Sequence, residues 1–291
     1  MPPRVPAVRD LPAFVLSNLL PAPLADPLMA RLSRIEHPLV ATLLIRAFGR
    51  IAGDLRLHEA AESHFPSLHA CFTRRLRPGV RPVNDAPDRL VSPCDGQIMA
   101  AGPIVDGLLV QAKGLTYGLA ELLGDPALAA RCVGGTFVTL RLTPAMYHRF
   151  HAPDAGVLHD ALHVPGAGWN VNPPTVRTLP RLYSRNTRAV LPMTLAGSPA
   201  ELILVPVGAI LVSGIVLPVV EGWEARDRRR QVRVPCRRAL ARGEEVGYFE
   251  HGSTIVVIAT SGAVPAPGIV PGRTVRMGEP LLTRTAAPAR P

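Results

Sequence analysis

The run LILVPVGAILVSGIVLPVV, residues 202–220, decides the fold. Roughly 20 apolar residues make a helix long enough to span a bilayer, so a membrane anchor is the first reading. Pro206, Gly208, Gly214 and Pro218 break the run at short intervals, and the pieces between them are rich in Val and Ile, which suit buried strands better than a helix. The stretch therefore reads as two or three strands crossing a core.

Working outward, the neighbouring segments are of the same kind. DGQIMAAGPIVDGLLVQAKG (95–114), GGTFVTLRLTP (134–144) and AVLPMTLAG (189–197) are short apolar runs bounded by Gly, Pro and Asp. One helix is expected among them, over TYGLAELLG (116–124), stopped at Gly124. EARDRRRQVRVPCRRALARGEE (224–245) reads as a basic surface loop. The fold class is α+β: a mainly antiparallel β core, barrel- or sandwich-like, with helices at the N-terminus. No repeat period is evident.

The N-terminal helices come from periodicity. From Pro27 to Gly53, Leu28, Leu32 and Ile35 share one face; Pro38 restarts the helix, and Val40, Leu43, Leu44, Phe48 and Ile51 continue it. Arg31, Arg34, Arg46 and Arg50 punctuate the pair, which fits either helices packed on a domain or helices lying on anionic lipid. The apolar stretch before them, LPAFVLSNLLPAPLA (11–25), contains Pro12, Pro21 and Pro23 and follows Asp10, so it makes a poor export signal. Two regions are expected: residues 1–60 as amphipathic helices and 61–291 as a β-rich catalytic domain.

Composition bounds the chemistry. At 291 residues and 47% hydrophobic content the chain can bury a core without disulfides or metal. Cys71, Cys94, Cys132 and Cys236 form no C-x-x-C pair, and no His/Cys cluster has zinc spacing, so neither disulfides nor a metal is expected. The formal charge is +10, and Lys113 is the one lysine among the 32 basic residues. Any Schiff-base lysine chemistry thus has a single candidate, while the many guanidinium groups suit an acidic partner, a phosphate or an anionic surface.

Chemistry gathers around GYFEHGSTIVVIAT (247–260), where Gly252, Ser253 and Thr254 open onto a stiff β-branched run. Locally this is a turn entering a strand. Partners for Ser253 stand elsewhere: Asp95 in SPCDGQI (92–98), and His148 and His151 in YHRFHAP (147–153), with Tyr147 and Arg149 beside them. A carboxylate, an imidazole and a hydroxyl are the three roles of an activated nucleophile. The G-x-S-x-G elbow of a hydrolase is absent, yet the carbonyl of Gly252 sits directly before the serine, unshielded by a side chain, so the chain itself is a possible target of attack.

These motifs, in order with CFTRRLRPGVRPV (71–83), GWNVNPPTV (168–176), LYSRNTRAV (182–190), VGAILVSGI (207–215) and GEEVGYFEHGSTIVVI (243–258), resemble the bacterial phosphatidylserine decarboxylase proenzymes, which are pyruvoyl-dependent. The family's cleavage motif is L-G-S-T; His251 replaces the leucine here, and Cys94 stands where alanine is usual in the Asp motif. The resemblance implies that Asp95, His151 and Ser253 form a self-cleavage relay. Ser253 would attack the Gly252 carbonyl, leaving a β chain of 1–252 and an α chain of 253–291 whose first residue becomes a pyruvoyl group. That covalent cofactor would condense with the substrate amine and draw off electrons as CO₂ leaves. His148 would assist decarboxylation or the protonation after it.

The same resemblance implies phosphatidylserine as substrate and phosphatidylethanolamine as product. It also implies an anionic membrane surface rather than nucleic acid as partner, a homo-oligomer, and a peripheral place on the cytoplasmic face of the bacterial membrane. Two rival readings stand beside it: a serine hydrolase using the same triad, and a carrier-like β module suggested by SPCDGQI and GIVPGRTVRMGEPL (268–281), which would need Lys113 on an exposed turn.

Overall fold

The computed structural model describes residues 22–112, 114–198, 200–209, 214–250, 252–260 and 262–285. Lys113, His251 and most of the apolar segment 11–25 lie outside the described residues. Helices α1 (Ala22–Ser33) and α2 (Pro38–Ala52) come first, then α3 (Leu68–Phe72). Pro38 occupies the first turn of α2, where its missing N–H costs nothing, and Gly53 ends the helix at φ 95°. The periodicity of the sequence therefore predicts this pair closely.

The strands follow. The first eight are β1 (Arg89–Val91), β2 (Gly96–Pro103), β3 (Leu108–Ala112), β4 (Leu115–Gly118), β5 (Thr136–Leu142), β6 (Arg149–His151), β7 (Gly156–Val164) and β8 (Arg188–Leu195). The remainder are β9 (Glu201–Gly208), β10 (Ile215–Val216), β11 (Val232–Leu240), β12 (Glu245–Phe249), β13 (Ser253–Ala259), β14 (Ala263–Pro265), β15 (Thr274–Val275) and β16 (Pro280–Arg284). The run 202–220 holds two strands, β9 through Gly208 and β10 at Ile215–Val216, and closes on a turn at 218–219; residues 210–213 lie outside the described residues.

Eight strands form one antiparallel sheet in the order β11-β7-β8-β9-β13-β5-β2-β15, flanked by the three-stranded sheets β1-β16-β14 and β10-β12-β6 and the hairpin β3-β4. The large sheet is open, with edges at β11 and β15, so the fold is α+β with a layered rather than a closed-barrel core. β13 lies at its centre, pairing with β9 on one side and β5 on the other, and every one of its residues is buried. Its alternate side chains serve two cores. Ile255 and Val257 pack with Leu140, Leu204, Phe150 and Phe249 toward the small sheets. Val256 and Ile258 pack with Phe137, Val205 and Tyr183 toward the helices α4 (Leu119–Leu123) and α5 (Pro126–Cys132). Burial on both faces is why STIVVIA lacks the polar alternation of a half-exposed strand.

Two expectations are corrected. The helix expected over 116–124 is confined to α4, and residues Leu115–Gly118 are strand paired to β3, because Thr116 and Tyr117 are strand formers matched to Val110 and Leu109. Gly124 does end the helix, in the left-handed region at φ 60°. The basic segment 224–245 is not a loop throughout: Val232–Leu240 is the edge strand β11, bearing half-buried Val232, Val234 and Cys236 in alternation with outward arginines. Charges and Pro235 on an edge discourage pairing with other chains.

Candidate active site

Ser253 is the first residue of β13, opposite Leu142 of β5 and Gly208 of β9. The chain reaches it from the small sheet, through β12 and residues Glu250 to Gly252. Its Oγ is buried and makes no hydrogen bond among the described residues. A buried hydroxyl without a partner loses its hydration for nothing in return, a cost of about 1–3 kcal/mol that the Thr254 hydroxyl beside it shares. Gly252 and Ser253 line a cavity of about 190 Å³ whose other walls include Met29 of α1, Phe48 of α2 and Leu68 and Phe72 of α3. The N-terminal helices thus close over the serine.

The two histidines stand just across from this strand entry. β6 pairs with β12, and the Phe249 N–H donates to the His148 carbonyl at 3.0 Å. His148 is fully buried, and its Nδ1–H donates to the Met146 carbonyl at 2.8 Å, which puts the ring's lone pair on Nε2. Its ring lies 3.9 Å, centroid to centroid, from that of Phe72, one of the walls of the serine cavity.

His151 is held from both sides. Nδ1 donates to the Gly243 carbonyl at 2.9 Å, so Nε2 is the accepting nitrogen, and it receives the Tyr147 hydroxyl at 3.0 Å. Burial lowers the proton affinity of the ring, against the raising influence of the Gly243 carbonyl and of the charges on Glu245 and Asp95. The imidazole is therefore kept as the neutral base. Burial likewise pushes the Tyr147 phenol up, so it acts as a donor rather than a phenolate.

Asp95 is buried in a second cavity, of about 360 Å³, that Tyr147 also lines. Its carboxylate takes two hydrogen bonds from Arg81, Nε at 2.9 Å and Nη2 at 2.6 Å, and one from the Met277 N–H at 2.9 Å. The same Nη2 reaches Glu59 at 2.8 Å. The turn bearing Asp95 is stitched to β6 by the His151 N–H, which donates to the Pro93 carbonyl at 2.8 Å.

Asp95 and His151 are thus neighbours on adjoining segments and Ser253 lies across the strand entry, but no hydrogen bond joins the three side chains to one another among the described residues. Sequence reasoning missed Arg81, Glu59, Gly243 and the donor role of Tyr147. Tyr147 had a signal, its place beside the histidines. Arg81 and Glu59 had none, because an ion pair closed across 14 or 22 residues leaves no local pattern. No group of three or more His, Cys, Asp or Glu among the described residues is placed to hold a metal ion.

The family model for phosphatidylserine decarboxylase matches residues 68–283. The chain belongs to the phosphatidylserine decarboxylase family. Relatives bear this out over nearly the whole length. A phosphatidylserine decarboxylase proenzyme of Halorhodospira halophila (strain DSM 244 / SL1) is 43% identical, covering 94% of each chain. One of Xylella fastidiosa (strain M23) is 39% identical over 92% of this chain and 93% of its own, and one of Shewanella sp. (strain ANA-3) is 36% identical over 93% and 96%. The matched residues of the phosphatidylserine decarboxylase family model include Asp95, His148, His151, Gly252 and Ser253. The chain is accordingly an enzyme of a decarboxylase family.

Proposed function

We propose that this chain converts phosphatidylserine to phosphatidylethanolamine with a pyruvoyl group made from its own Ser253. One observation carries the reading: the pair Gly252–Ser253 opens into a cavity walled by apolar helices, with the serine hydroxyl buried and unbonded among the described residues. A water-poor pocket around an exposed peptide link suits an attack by the chain on itself, and the relatives are named proenzymes.

In that attack Ser253 Oγ bonds to the Gly252 carbonyl carbon, the Gly252–Ser253 C–N bond breaks, and the serine proton passes to Nε2 of His151, the ring nitrogen without a hydrogen. Asp95 lends its negative charge to the developing imidazolium. His151 returns that proton to the freed Ser253 nitrogen; the ester then breaks by elimination, the Cα proton being removed as the Gly252 carboxylate leaves, and water replaces the nitrogen of the resulting enamine, released as ammonia, so that chains 1–252 and 253–291 result. The pyruvoyl group so formed supplies an electron-accepting carbonyl for the substrate amine, the part pyridoxal phosphate plays in other decarboxylases. His148, whose ring lies against Phe72 of the cavity wall, carries its lone pair on Nε2 and would pass a proton taken up there to the carbon that loses CO₂.

Docking on lipid supports the same reading. Leu39, Leu43 and Ile51 of α2 are 77%, 66% and 88% exposed, with Arg46 and Arg50 among them. An apolar surface edged by arginines suits the boundary of an anionic leaflet. Among the described residues no helix is long and apolar enough to cross a membrane. Residues 1–60 would then serve docking and 61–291 catalysis, with the protein peripheral to the cytoplasmic face of the membrane.

Intact mass of purified protein tests the proposal. A fragment of residues 253–291 that resists Edman degradation and is reduced by borohydride is expected, and Ser253→Ala should remain one uncut, inactive chain. A single unbroken polypeptide with decarboxylase or hydrolase activity would overturn it.

A further inference from the structure

One cation enters the serine cavity. Arg141 of β5 lies opposite Thr254 in register, one residue past the Gly252–Ser253 bond, and lines the same space of about 190 Å³. The other described lining residues include no carboxylate. Arg141 is mostly withdrawn from solvent, and burial lowers its proton affinity, yet an arginine keeps its charge in a protein. Its hydrogen bond among the described residues is a single one, Nε to the Val171 carbonyl at 3.1 Å.

Three other buried arginines among the described residues have their terminal nitrogens engaged by the protein. Arg188 donates to the carbonyls of Leu122, Ser184, Asn186 and Glu121, Arg74 to those of Cys71, Leu55, Ala145 and Met146, and Arg81 holds two carboxylates. The two terminal nitrogens of Arg141 make no hydrogen bond to a described residue.

We infer that the Arg141 guanidinium binds the phosphodiester of the lipid head group, setting the depth at which the substrate amine meets residue 253. The inference rests on the function proposed above. The head group carries two anions, and chemistry chooses between them. A guanidinium on the carboxylate would stabilise the charge that decarboxylation must disperse, so it would favour the ground state over the transition state. The phosphodiester keeps its charge throughout, and a planar two-pronged donor suits it. Arg141 thus contributes uniform binding, which appears in KM and not in kcat.

The test uses self-cleaved enzyme carrying Arg141→Gln or Arg141→Lys. Its substrates are short-chain phosphatidylserine in detergent and a phosphate-free O-alkyl serine. Arg141→Gln should raise KM for phosphatidylserine about ten- to a hundredfold, the scale of one lost charge-assisted contact, with kcat changed by less than about threefold. Arg141→Lys should recover part of the loss, and turnover of the O-alkyl serine should be unmoved. A fall in kcat at constant KM, or an equal loss on both substrates, would overturn the assignment.

A second measurement needs no turnover. Glycerophosphoserine should bind the uncut Ser253→Ala protein by calorimetry and lose about tenfold or more in affinity when Arg141→Gln is added, with Arg141→Lys recovering part of the loss. Binding that ignores both substitutions would sink the anion site. Binding that obeys them, while the protein with Ser253 intact never cleaves or releases CO₂, would leave the site standing and remove only the proposed reaction.

Discussion

The Tyr147 hydroxyl donates to Nε2 of His151 across 3.0 Å, while Nδ1 of the same ring donates to the Gly243 carbonyl at 2.9 Å. The tautomer is therefore set by a backbone carbonyl, and a phenol occupies the nitrogen that would receive the serine proton in the proposed attack. Removing the ring should stop maturation: His151→Ala is expected to stay one chain on a denaturing gel. Tyr147→Phe should cleave about five- to tenfold more slowly, the worth of one neutral hydrogen bond that orients the base. Faster cleavage would mean that the phenol restrains the base instead. His148→Ala should be cut yet release CO₂ slowly, since its ring reaches the cavity wall at Phe72 rather than the relay.

The buried histidines make a pH prediction. His151, His69 and His163 all have their proton affinity lowered from the ordinary value of 6.5, chiefly by burial. Below 6.5 the unfolded chain binds protons that the folded chain refuses, so stability is complete above that pH and declines as pH falls from 6.5 toward the depressed folded values. The urea midpoint should be level between about pH 7 and 8 and lower at about pH 5.5. A midpoint that rose on acidification would contradict the burial of these rings.

Arg81 sits between two carboxylates, with side-chain exposures of 4% for Arg81 and 7% for Asp95. Arg81→Met leaves Asp95 without its counter-ion and Glu59 with only the longer pair to Arg56 at 3.9 Å, and should cost about 3–5 kcal/mol, read from denaturant unfolding. Arg81→Met with Glu59→Gln should recover part of the loss, because one of the two charges is then removed. A variant as stable as the unsubstituted protein would mean that the carboxylates are solvated.

The exposed leucines of α2 should bind lipid. Replacing Leu39 and Leu43 together by Glu is expected to lower co-sedimentation with anionic vesicles about tenfold or more, through lost apolar contact and added repulsion, while the thermal midpoint stays nearly unchanged. Equal loss of binding and of stability would show that these side chains pack within the protein.

Much of the fold is legible because its signals are local. Pro38 and Gly53 punctuate α2, and Val- and Ile-rich pieces between Pro206 and Pro218 exclude a spanning helix. The errors are local as well. Thr116 and Tyr117 lie in a segment of helical composition but are captured by Val110 and Leu109 across a hairpin, and β11 hides its half-buried Val232, Val234 and Cys236 among arginines. Cross-strand pairing overrides the preference of a short segment in both cases.

The sequence by itself determined the residue types on offer for the proposed reaction and their order: a carboxylate at 95, imidazoles at 148 and 151, and a glycine carbonyl directly before the hydroxyl at 253. Side-chain chemistry and covalent adjacency travel with the chain, so they can be read before it folds. Only the tertiary structure decided which partner each group keeps. Arg81 for Asp95, Gly243 and Tyr147 for His151, and the apolar wall of Phe48 and Phe72 around Ser253 all come from segments distant in the chain. Water exclusion and hydrogen-bond choice depend on what packs nearby in space, and packing is a property of the whole fold.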